Sequence, residues 1–120
     1  MKATKITYYL TTVLLSLLMV FSAYSYLTKP ELKEGFQHLG FPDYFRIELA
    51  LAKLLAAIGL WIPNHFIKDT AYIGLSISFI SAAIAHAASG DPLSAVIAPL
   101  VIFVLLLASF FSRNKLYASN

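Results

Sequence analysis

The sequence predicts an all-α protein: a transmembrane four-helix bundle with a short interfacial helix between the first and second spans. Three observations predict it. Hydrophobic residues make up 59% of the 120 residues and charged residues 12%, where a soluble domain carries about 25% charged residues. Four apolar stretches, Ile6–Leu27, Asp43–Ile62, Asp69–Ala88 and Leu93–Phe111, each approach the roughly 20 residues that a span requires. The segments between them are rich in Pro, Gly, Asn and Asp, the residues that stop and start helices. The length fits one unit, residues 1–120.

The first stretch is bracketed by Lys2 and Lys5 and by Tyr8, Tyr9, Tyr24 and Tyr26, as interfacial aromatics bracket a span. A cleaved signal peptide is the competing reading, because Phe21–Ser25 (F-S-A-Y-S) resembles a small-residue cleavage site. Against it, the apolar run exceeds a signal core of about 7–15 residues. Tyr9, Thr12, Ser16 and Ala23 also form a polar or small stripe that a discarded segment would not need. Thr28–Gly40 mixes charges with Leu32, Phe36 and Leu39. Pro30 can open a helix there and Gly40 can end one. The segment reads as an interfacial helix or re-entrant cap, with an exposed loop as the alternative.

The second stretch organises the chain. It carries Arg46, Glu48 and Lys53 in an otherwise apolar run, and a charge near mid-membrane costs about 2.5 kcal/mol or more. At roughly 100° per residue, Asp43, Arg46, Ala50, Lys53 and Ala57 share one face. Glu48, Ala52, Ala56 and Gly59 share a second, and Ile47, Leu51, Leu54, Leu55, Ile58 and Ile62 fill the lipid-like arc. Small residues let helices approach closely in a membrane. This span is therefore expected at the centre of the bundle, with both alanine faces buried.

In the third stretch Asp69 suits a helix N-terminus. Ser89-Gly90-Asp91-Pro92 makes a tight link, with Asp91 as the expected cap and Pro92 as the first residue of the next helix. Pro99 should kink the fourth span. Four spans put Lys2, Lys5, Lys68, Arg113 and Lys115 on one side. The positive-inside rule makes that side cytoplasmic, with both termini. The net charge of +3 forms no basic stripe, which argues against nucleic acid as a partner. Zero cysteines exclude disulfides and thiolate metal sites within the chain.

The succession His38–Phe45 (H-L-G-F-P-D-Y-F), Leu49–Pro63, Lys68–Gly74 (K-D-T-A-Y-I-G) and Ile80–Pro92 (I-S-A-A-I-A-H-A-A-S-G-D-P) resembles the DoxX-like family of small bacterial four-helix membrane proteins. The resemblance implies a multi-pass protein of the bacterial inner membrane. Some relatives are named for quinone-linked oxidation of sulfur compounds, so quinone enters as a cofactor through the resemblance alone. Lys53, Asp69, Tyr72, His86 and Asp91 fall on its recurrent polar positions. Lys68-Asp69 departs from the Lys-Glu pair that relatives often carry.

Four residues are ligand-binding or proton-relay candidates: Lys53, Glu48, His86 and Tyr72. Lys53 lies about ten residues, or roughly 15 Å, from either end of its span. It needs an internal partner or a wet cavity. No acid lies at matching depth, and Thr12, Ser16, Ser78 and Ser81 offer hydroxyls. The bland reading is a structural lysine tying helices together. Glu48 and His86 are expected to meet near the non-cytoplasmic mouth, as a proton relay or an interfacial pair. Only His86 among the histidines sits clearly inside a span, which argues against haem. No catalytic or metal motif is present.

The functional expectation is an accessory subunit or lipophilic-ligand-binding module without catalytic activity of its own, with quinone-linked redox as the process the resemblance implies. Its partners are the lipid bilayer, other membrane redox subunits or a second copy of the chain. A small transporter or proton conductor using Lys53 and Glu48 is one alternative. A membrane enzyme acting on a lipophilic substrate is another.

Overall fold

The computed structural model describes residues 2–118. They form five helices: α1 (Lys2–Thr28), α2 (Pro30–His38), α3 (Asp43–Gly59), α4 (His65–Ala88) and α5 (Leu93–Ala118). Three are long and apolar enough to cross a membrane: Lys2–Thr28, His65–Ala88 and Leu93–Tyr117. The outward faces are apolar, with Leu10, Leu17, Phe21, Ile73, Ile77, Ile84, Val101 and Val104 all exposed. A water-soluble monomer rarely leaves so large an apolar surface open.

The helix ends follow local rules, with two departures from the sequence reading. α4 begins at His65 rather than Asp69, because the Asn64 side chain accepts from the Ile67 N–H at 3.1 Å and caps the helix one turn early. Lys68 is thereby carried inside the helix and buried. Gly40 and Gly90 end their helices at φ +85° and +73° as expected, but Asp91 does not cap α5. Its carboxylate is taken by two histidines. α5 continues through Pro99 without a break in its helix.

α1, α3, α4 and α5 share one core, built from Leu15 and Met19 of α1, Ala57 of α3 with the adjoining Leu60, Tyr72, Leu75 and Phe79 of α4, and Leu106 of α5. α2 lies across the ends of α1 and α3, holding Phe36 against Tyr26, Phe41 and Phe45. The expectation that the second span is the centre is corrected. α1 has broad interfaces with both α3 and α5, and α4 has one with α5, while the α3–α4 interface is thin. The cause is local. α3 and α4 touch closely at Gly59, where an added methyl would lie 3.4 Å from Ala71 Cβ. Farther along α4, a methyl added at Gly74 would meet nothing within 4 Å. Of the two alanine faces, Ala50, Lys53 and Ala57 are buried as expected. Ala52 is exposed and Ala56 only half-buried, because they border the gap that α4 leaves.

Candidate functional site

α1 and α3 run antiparallel in a register fixed by polar contacts. Trp61 Nε1–H donates to Ser16 Oγ at 2.8 Å. Lys53 Nζ donates to Ser22 Oγ and to the Tyr26 hydroxyl, both at 2.8 Å. Arg46 donates to the Tyr26 carbonyl and pairs with Asp43 at 3.1 Å. Lys53 is 7% exposed, and its amine also lies 4.2 Å from the Tyr26 ring centroid, within reach of a cation–π contact.

Sequence reasoning missed both of these partners. It looked for hydroxyls level with the Lys53 Cα. A helical side chain leans toward the helix N-terminus, so the amine reaches back toward the α3 start and meets Ser22 and Tyr26. The available signal was their i, i+4 spacing on α1, which puts both hydroxyls on one face. Of the hydroxyls proposed instead, Thr12 pairs with Ser109 and Ser16 with Trp61.

The gap between α3 and α4 is a groove of about 370 Å³. Its α3 wall includes Ala52, Ala56 and Gly59, and its α4 wall Ala71, Gly74 and Ser78. Lys53 is the only charged residue along it. An ammonium has three protons to donate; two of them go to Ser22 and Tyr26. The groove is therefore an apolar trough with Lys53 in its lining.

Glu48 and His86 are not brought together as a pair. Glu48 is exposed and has no partner among the described residues. His86 donates from Nδ1 to Asp91 Oδ2 at 2.7 Å, and His38 donates from Nε2 to Asp91 Oδ1 at 2.6 Å. One carboxylate thus joins the end of α2, the end of α4 and the α4–α5 link. The hydrogen bonds from His86 and then His38 hold the Asp91 carboxyl below its ordinary value of 3.8. Tyr72 stands apart from Lys53. It is buried, its hydroxyl is 2.7 Å from Ser109 Oγ, and Ser109 Oγ is 2.6 Å from Thr12 Oγ1.

At the opposite end from Asp91, Arg113 is 2% exposed. It binds Asp69 through one terminal nitrogen and lies 3.0 Å from His65 Nδ1 through the other. Lys68 donates to the Leu60 carbonyl and to the Tyr8 hydroxyl at 3.3 Å. Reading Lys68 and Arg113 only as topology signals hid their burial.

Comparison of the chain with curated proteins and with solved structures finds no match. Comparison with protein families matches residues 10–109 to the DoxX-like family. That span takes in most of α1 and α5 and all of the chain between them, including Lys53, its two hydroxyl partners and the groove. The chain belongs to the DoxX-like family.

Proposed function

We propose that this DoxX-like protein is a four-span protein of the bacterial inner membrane that binds a lipophilic, carbonyl-bearing ligand in the α3–α4 groove, as a binding module or accessory subunit of a membrane redox process. The observation that carries the reading is the groove itself, an apolar trough with Lys53 as its only charged residue. A ligand tail would lie along the alanine and glycine wall, and a carbonyl oxygen would accept from the ammonium. An isoprenoid quinone has this chemistry. α3 would be the fourth span. Its helix has 17 residues, and tight turns carry the chain on to Ile62, close to the roughly 20 residues a span requires. α2, with Phe36 inward and charges outward, would lie at the interface. The proton-conducting alternative has less support, because no described hydrogen bond links Glu48 to Lys53.

The test is photolabelling in liposomes with an azido-quinone, followed by peptide mapping. Labels should concentrate on Leu49–Ser78. A hydrogen bond to a charged group contributes about 1.5–3 kcal/mol. Lys53→Met should therefore weaken labelling by about tenfold or more while the helical content is kept. Ala56→Leu, which fills the trough, should also suppress it. Labels spread evenly over all lipid-facing helices, or indifferent to both variants, would reject the reading.

A further inference from the structure

The end of the molecule where α1 begins and α5 ends has a second cavity, of about 490 Å³. Lys2, Lys5 and Tyr8 of α1 and Arg113 and Tyr117 of α5 form its walls. It lies away from Lys53 and shares no lining residue with the groove.

Its chemistry is one-sided. Arg113 lines it, and Lys68 stands behind Tyr8. Among the described residues the only carboxylate paired in this cluster is Asp69, which Arg113 already holds. Lys2 and Lys5 are exposed and have no acidic partner among the described residues. The lining thus carries three cationic side chains and no carboxylate.

One hydroxyl in the wall has an unused donor. The Tyr8 oxygen accepts from Lys68, so its own proton is left to donate. The Arg113 guanidinium is fixed in place by Asp69, by His65 and by the rings of Tyr72 and Tyr117, at 5.8 and 5.3 Å. Tyr9, which also lines the cavity, stacks on Trp61 at 6.2 Å. Such an aromatic pair is typical of headgroup depth.

We propose that this cavity binds a phosphate-bearing anion, either the phosphodiester of an anionic lipid headgroup or a soluble phosphate. Lys2, Lys5 and Tyr8 would donate to it, and Arg113 would supply fixed positive charge behind them. Basic pockets between helices on the cytoplasmic side take anionic headgroups in this manner.

The test uses the full chain in dodecyl maltoside, titrated separately with phosphatidylglycerol, phosphatidylcholine and inorganic phosphate, and reads the thermal unfolding midpoint. Phosphatidylglycerol should raise the midpoint saturably and phosphatidylcholine should not. Lys2 and Lys5 are exposed, so Lys2→Gln/Lys5→Gln should fold normally and raise the lipid concentration needed for a given midpoint shift by roughly 30-fold. Lys33→Gln, on α2 at the other end, should leave it unchanged. A rise with inorganic phosphate that also depends on Lys2 and Lys5 assigns the site to a soluble anion. A rise with phosphatidylglycerol alone assigns it to lipid. Equal effects of the two lipids, no effect of either anion, or indifference to the double variant would overturn the proposal.

Discussion

Ser109 Oγ lies 2.6 Å from Thr12 and 2.7 Å from the Tyr72 hydroxyl, so one oxygen joins α1, α4 and α5. All three residues are buried, and lipid offers no replacement partners. Side-chain hydrogen bonds between membrane helices average about 0.6 kcal/mol and reach about 1.7. Ser109→Ala removes two and should destabilise by about 1 kcal/mol in a reversible detergent unfolding titration. In a double-mutant cycle, Thr12→Val and Ser109→Ala should couple by about 0.6 kcal/mol. Strict additivity would show that the contact contributes nothing. Ser109 was not legible as a hub. Serines are common in membrane helices, and nothing local marks the one that a tyrosine and a threonine from other helices will meet.

At the scale of elements, Asp91 fastens α2 to the α4–α5 link through His38 and His86. Its carboxyl is held below 3.8 in the folded protein. The unfolded chain therefore binds more protons around that value, and stability must fall as the medium is acidified. The contribution is complete above the ordinary carboxylate range and disappears as pH drops through the lower folded value. The thermal midpoint of wild type should exceed that of Asp91→Asn at pH 6. The gap should shrink between pH 5 and pH 3. A gap independent of pH would remove the carboxylate from the account. The helices themselves were largely legible, since the buried face of Ala50, Lys53 and Ala57 follows from 100° periodicity. What escaped was competition between equally good local rules. Asp91 before Pro92 reads as a cap until two histidines from elsewhere claim it, and Asn64 starts α4 one turn before Asp69 could.

At the scale of the molecule, the longest dimension is 47 Å, close to the roughly 40–45 Å of a bilayer with its headgroups. Lys2, Lys5 and Arg113 collect at one end, and Lys29 and Lys33 lie at the other, among Glu31, Glu34 and Asp91. Reporter fusions after Asn120 and near Lys33 should therefore report opposite compartments, with the former cytoplasmic. Matching compartments would reject the four-span topology. The arrangement of helices was less legible than their number. Composition marks a helix as apolar, but neighbours are chosen by contacts distant in sequence, such as the one between Thr12 of α1 and Ser109 of α5, 97 residues apart. That distance matters during synthesis. The first helix is made long before its last neighbour exists, and until α5 arrives the Thr12 hydroxyl has only its own helix to bond, as Thr7, Thr11 and Thr28 bond the carbonyls four residues back. A ribosome that stalls before α5 would leave this face uncovered.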